Sequence, residues 1–337
     1  MLRNADKIRE VSGVDARALP DELLTATEPV VLRGLVAHWP MVRAALESEQ
    51  AAIRYLLGFC RDAAVVALVG PPQIQGRFFY NEDLSGFNFR TERLRLDALL
   101  NELGRPAGAT PGGSLYVGST TLTAALPGFH EQNNVDLGPR KPLISIWLGN
   151  RSRIAAHNDL PDNLACVAAG HRRFTLFPPE QLANLYIGPL DFNPAGQPIS
   201  LVDFANPDYS RYPRFAEAEK AARVAELGPG DAIFIPSMWW HHIESLDSLN
   251  VLINYWWRQS PAYMDSPISA LMLAIMSVRE LPPAQRAAWK NLFNHYVFDA
   301  DASTPAHIPE EARRLLGTLS DDMVRDVRAR LLSRLNR

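Results

Sequence analysis

The segment SRIAAHNDLPD (152–162) sets His157 and Asp159 two residues apart at the end of a run that reads as a β-strand. Side chains at i and i+2 of a strand project to the same face. One imidazole and one carboxylate can therefore meet the same metal ion, with Asn158 pointing away. By itself an HxD pair is a weak signal, because many surface loops contain one by chance.

A second segment, LGPGDAIFIPSMWWHHIES (227–245), opens on a Gly228-Pro229-Gly230-Asp231 turn, continues as an apolar strand, and reaches WWHH where the next strand should begin. Pairing of that strand with the first segment brings His241 or His242 beside His157 and Asp159. Two histidines and one carboxylate on one face of an ion leave several coordination positions open, the arrangement of non-haem Fe(II) oxygenases.

These residues need a rigid frame, and the pattern between Ser114 and Arg258 supplies one. LYVGS, LISIWLG, NLACVAA, RRFTLF, DAIFIP and NVLINYWW are short β-rich runs separated by turns, the spacing of a sandwich or jelly roll. An interruption at 178–226 is too long for a passive connection, and its RFAEAEKAARVAEL reads as a helix. Its aromatic residues Tyr186, Phe192, Phe204, Tyr209, Tyr212 and Phe215 suit a cover over a small molecule or a groove for a peptide. Upstream, PDELLTAT, PMVRAALESEQAAIRYLL and LRLDALLNEL read as helices. EPVVLRGL, AAVVALV and GRFFYN read as strands, and 104–113 as a Gly/Pro-rich loop. Beyond Pro261 three or four amphipathic helices follow, with Ile268, Leu271, Met272 and Ile275 on one face and Val324, Val327, Leu331 and Leu335 on another. Such faces need a surface, either this chain's own barrel or a second copy in a homodimer. The resulting division is 1–113, α/β elements flanking the barrel; 114–260, the barrel; and 261–337, a helical region.

Composition fits a globular chain: 337 residues, 47% apolar, with 34 basic against 37 acidic residues. That balance gives no general electrostatic reason to bind nucleic acid or an anionic membrane. Cys60 and Cys166 are too few for a disulfide scaffold. The opening MLRNADKIREVSG lacks the apolar core of a signal peptide, so a cytoplasmic location is expected. His38, His130, His171, His295 and His307 have no partner at ligand spacing, and Arg313 to Arg337 reads as a solvated helical face balanced by acidic residues.

Taken in order, EPVVLRGLVAHWP (28–40), the HND step, GHRRFTLFPPEQL (170–182), ELGPGDAIFIPSMWWHHIES (226–245) and NYWW (254–257) resemble the cupin-like branch of the JmjC family, nearest the group of the asparaginyl hydroxylase that inhibits hypoxia-inducible factor. The resemblance implies a double-stranded β-helix that binds Fe(II) and takes 2-oxoglutarate and O₂ as co-substrates. His157 and Asp159 match the family's HxD. His241 matches the distal histidine because it follows the Trp of the W-H step, which leaves His242 facing the other way.

The family holds the far carboxylate of 2-oxoglutarate with a basic residue on the strand after HxD, where Arg172 stands. The nearest relatives carry lysine there, so this is a departure. Arginine can clamp a carboxylate with two hydrogen bonds but is longer. Ile154 replaces a threonine that bonds the same carboxylate, and an apolar side chain cannot make that bond. Asn163 and Asn254 match amides at the co-substrate end, Trp256 an aromatic wall, and Tyr116 would bring a phenol to the carboxylate. Each also suits a bland role, as a core aromatic or a turn amide. The implied reaction is hydroxylation of a protein side chain or small molecule. JmjC-type N-demethylation and a non-catalytic metal-binding cupin are the alternatives.

Overall fold

The computed structural model describes residues 5–105, 113–194 and 196–336, so most of the Gly/Pro-rich loop expected at 104–113 lies outside the described residues. Core strands β1 (Leu143–Gly149), β2 (Ser152–His157), β3 (Asp162–Ala169) and β4 (Arg172–Phe177) are followed, after the long interruption, by β5 (Arg223–Leu227), β6 (Ala232–Ile235), β7 (Trp240–Ser245) and β8 (Asn250–Trp257). They interleave into two antiparallel sheets, β1-β8-β3-β6 and β2-β7-β4-β5. Strands that change sheet in this order make the double-stranded β-helix of a jelly roll.

The upstream strands extend both sheets. Arg9–Ser12 and Val30–Arg33 continue the major sheet beyond β6, while Ser114–Thr121, Ala64–Gly70 and Arg90–Arg95 continue it beyond β1. Asp6–Lys7 and Arg77–Phe78 flank the minor sheet.

The two sheets bury Val31, Val167, Phe174, Leu176, Ile233 and Ile235 between them. The other face of the major sheet carries Phe234, Val251, Ile253 and Tyr255, and the upstream helices cover it with Trp39, Met41, Leu56, Leu96 and Leu100. Strand β3 is buried along its whole length for this reason. A strand covered on both faces reads as an unbroken apolar run, which is how NLACVAA appears in the sequence.

Several element boundaries differ from the expectations. PMVRAALESEQAAIRYLL is two helices, Pro40–Glu47 and Glu49–Leu57, because Ser48 is extended (φ −173°, ψ 161°) and its Oγ accepts from the Ala51 N–H, capping the second helix. LRLDALLNEL is helical only from Leu96, its first two residues ending a strand. GRFFYN contributes a strand only at Arg77–Phe78. The helix in RFAEAEKAARVAEL stops at Lys220, and RVAEL is strand β5. Thr175, Phe174 and Arg172 of β4 pair with Val224, Ala225 and Leu227, so ladder pairing overrides the local helix preference of an alanine-rich stretch.

Ser260–Arg337 form a separate compact unit, with helices Pro267–Ser277, Pro283–Phe293 and Asp321–Leu335. Of its expected apolar faces Val324 is buried, whereas Leu271, Met272, Leu331 and Leu335 are exposed. Among the described residues no helix is long and apolar enough to cross a membrane.

Candidate metal centre

His157 ends β2, and His241 lies opposite it on the antiparallel neighbour β7. Asp159 follows in the β2–β3 loop, where the Met238 N–H donates to its carbonyl (2.9 Å) and Ser237 Oγ donates to the Leu160 carbonyl (2.6 Å). The β6–β7 connection thus holds the loop carrying the carboxylate. One donor atom from each of His157, Asp159 and His241 lies within 4.8 Å of the other two. His241 Nε2 is 3.5 Å from Asp159 Oδ2, and the two imidazole centroids are 4.3 Å apart.

Both imidazoles are oriented alike. His157 Nδ1–H donates to the Ala155 carbonyl and His241 Nδ1–H to the Trp239 carbonyl, each at 2.9 Å. A proton fixed on Nδ1 leaves the Nε2 lone pair for a metal. Burial, reinforced by the neighbouring His241, pushes the His157 pKa down to about 4, keeping that ring neutral near pH 7. Burial would raise the Asp159 carboxyl, but the His241 hydrogen bond and the two imidazoles hold it below its ordinary value. Two imidazoles and one carboxylate fit a divalent metal with positions open for further ligands.

His242 faces the other way, with its ring 4.7 Å from that of Phe204, and burial pushes its pKa down to about 3.

The three candidate ligands open onto a cavity of about 300 Å³ between the sheets, and Tyr116, Asn163, Arg172, Asn254, Trp256 and Ile154 all line it. Arg172 begins β4. It sits four residues before Leu176, the partner of His241, which at about 3.3 Å per residue is roughly 13 Å along the strand. The guanidinium is buried, and its Nε and Nη2 have no partner among the described residues. Burial lowers its pKa to about 10, partly opposed by Tyr116, while burial raises the Tyr116 phenol to about 12. Tyr116 is therefore a neutral phenol that can donate.

Ile154 reaches the cavity through a bulge in β2: His241 pairs with His157 but Ile243 with Ile154, so β2 carries one extra residue between them. The bulge lets residues three apart line one cavity, which a regular strand does not allow.

Several lining residues escaped the sequence reading. Trp147 touches the edge of Trp256 (centroids 5.6 Å, interplanar 80°) and donates from Nε1 to Asn254 Oδ1 at 2.7 Å. The alternation in LISIWLG, with Ser145 and Trp147 between Ile144, Ile146 and Leu148, marks that face. Phe78 belongs to a two-residue strand with no pattern of its own. From the long interruption, Pro194, Gly196, Gln197 and Ile199 reach the cavity. The aromatics singled out in that stretch do not: Tyr186, Phe204, Tyr212 and Phe215 pack with Phe177 and Trp240 in a separate cluster, and Phe192 stacks on Phe87.

A jelly roll whose cavity brings two histidines and an aspartate together with a buried arginine has the architecture of the cupins, with a candidate metal centre in its barrel. The family described as Cupin-like domain matches residues 16–263, and the chain belongs to that cupin-like, JmjC-type family. Curated relatives include the lysine-specific demethylase JMJ31 of Arabidopsis thaliana, 35% identical over 129 residues, 36% of this chain and 23% of the relative. HSPB1-associated protein 1 of Homo sapiens is 30% identical over 155 residues, 44% and 30% of the two chains. tRNA wybutosine-synthesizing protein 5 of Gallus gallus is 33% identical over 106 residues, 32% and 30%. The matches span between 23% and 30% of the length of these relatives.

Proposed function

We propose that the chain is an Fe(II)- and 2-oxoglutarate-dependent oxygenase that hydroxylates a protein side chain or a small molecule. The observation that carries this reading is Arg172, whose buried Nε and Nη2 have no partner among the described residues and which lines the same cavity as the three candidate ligands. A divalent metal (+2), Asp159 (−1) and Arg172 (+1) sum to +2, because an imidazole that ligates a metal through its lone pair is a neutral ligand. An uncompensated charge in a buried site is costly, and a dianion cancels this one. A dicarboxylate with a metal-chelating end and a far carboxylate meets both ends of the cavity.

When bound together, iron and 2-oxoglutarate supply decarboxylation coupled to O₂ reduction, yielding succinate, CO₂ and an oxygen atom for a C–H bond. The protein's own part is positional. His157 and His241 hold their Nε2 atoms toward one point, and Asp159 contributes a single negative charge there. Arg172 and Tyr116 are placed to receive the far carboxylate, and Trp147, Trp256, Phe78 and Leu252 keep bulk water from the reacting atoms. Pro194, Gly196, Gln197 and Ile199 supply the part of the lining that comes from the long interruption.

N-demethylation is the second reading, favoured by the demethylase among the relatives. It differs in that the hydroxylated carbon leaves as formaldehyde. Aerobic incubation with Fe(II) and 2-oxoglutarate should yield succinate and CO₂ in equal amounts. Mass spectrometry of treated peptide or metabolite pools then separates the readings, one added oxygen marking hydroxylation and formaldehyde marking demethylation. Stoichiometric metal with no succinate would instead make the chain a metal-binding cupin without oxygenase chemistry.

A further inference from the structure

Across the major sheet a polar relay runs from Trp147 on β1 through Asn254 on β8 to Asn163 on β3. Trp147 lies one diagonal from Asn254, whose own partner on β1 is Ser145, and Asn254 lies one diagonal from Asn163, whose partner on β8 is Trp256. Diagonal neighbours on one face of a sheet are within reach of such side chains. The contacts are Trp147 Nε1–H to Asn254 Oδ1 at 2.7 Å and Asn254 Nδ2–H to Asn163 Oδ1 at 3.3 Å. Asn254 and Asn163 are both buried, and all three residues line the cavity.

The relay has a direction. An indole N–H can only donate, whereas a carboxamide can present either end. Trp147 therefore fixes Asn254 with its oxygen toward the indole and its amino group toward Asn163. That in turn fixes Asn163 with its oxygen toward Asn254, leaving its amino group for an acceptor on the cavity side.

We propose that Trp147 is a positioning residue, which sets the amide orientation of Asn254 and Asn163 so that Asn163 presents N–H rather than oxygen to an anionic co-substrate. This rests on the reading of the cavity as a 2-oxoglutarate site. Without the indole N–H both amides are free to flip, and a flipped Asn163 turns oxygen toward a carboxylate. Trp147→Phe removes the N–H and keeps an aromatic ring against Trp256.

The test is anaerobic titration of the Fe(II)-loaded protein with 2-oxoglutarate, followed by its visible chelate band. Trp147→Phe should weaken 2-oxoglutarate by about fivefold, the scale of one hydrogen bond, with Fe(II) affinity unchanged. Asn254→Ala, which breaks the relay at its middle, should weaken it similarly, and combining the two should cost little more than either alone. In an Asn163→Ala background Trp147→Phe should have no further effect. An indole that only fills space would lower affinity equally in both backgrounds, and that result overturns the inference, as does unchanged affinity in Trp147→Phe and Asn254→Ala. A wild-type protein that binds Fe(II) and no 2-oxoglutarate overturns the oxygenase reading and the relay's role with it.

Discussion

In the proposed oxygenase Arg172 pulls stability and function in opposite directions. Its guanidinium lies buried with two nitrogens unpartnered among the described residues, a state that costs about 1–3 kcal/mol or more for a charged group. Arg172→Met should therefore raise the metal-free protein's unfolding free energy by about that amount, read by urea denaturation, while abolishing 2-oxoglutarate binding. Ile154→Thr returns a hydroxyl to the cavity wall and should tighten 2-oxoglutarate a fewfold without altering Fe(II) affinity, as measured by calorimetric titration. Asp159→Ala should lower metal affinity by at least about 100-fold, beyond what loss of a supporting residue alone costs, with little change in melting temperature because the side chain lines a cavity. Two histidines set an acid limit. His157 and His242 have folded pKa values near 4 and 3, below the unfolded value near 6.5. The unfolded state thus binds their protons first, so metal-free stability is complete above about pH 6.5 and falls steadily toward pH 4. A melting temperature flat from pH 7 to 4.5 would contradict this.

Among the elements, those that position the site were legible where one local signal sufficed. The HxD step at the end of a strand and the Gly-Pro-Gly-Asp turn before an apolar run both appear as read. At that turn the Asp231 N–H donates to the Gly228 carbonyl, and Gly230 adopts φ 101° with Ala37 Cα only 3.1 Å from where a Cβ would stand. Gly230→Ala should therefore destabilise the fold by about 1–3 kcal/mol, measured by chemical denaturation, and a neutral result would sink the steric account. Legibility failed where long-range pairing decides the state. RVAEL is a strand because β4 lies beside it, and nothing within the pentapeptide says so. The bulge bringing Ile154 to the cavity was also hidden, because a register shift belongs to two strands together. Aromatic content misled in the long interruption, since Phe204 and Phe215 fill a core of their own, while the cavity receives the non-aromatic Pro194, Gly196, Gln197 and Ile199.

At the scale of the molecule, residues 16–263 carry the family, and Ser260–Arg337 form the second compact unit. Leu331, Leu332 and Leu335 are exposed on its last helix. We propose that these helices pair with a second copy of the chain. Sedimentation should show a concentration-dependent dimer that Leu331→Glu with Leu335→Glu converts to monomer, and a monomer at all concentrations would refute the pairing. The barrel's central claim is that one cavity holds a metal and a dicarboxylate together. Its most direct test is anaerobic addition of 2-oxoglutarate to the Fe(II)-loaded protein. A visible charge-transfer band should appear only with both present, saturate at one equivalent of each, and be absent in Asp159→Ala and Arg172→Met. Stoichiometric Fe(II) binding by the wild type with no such band would contradict the account.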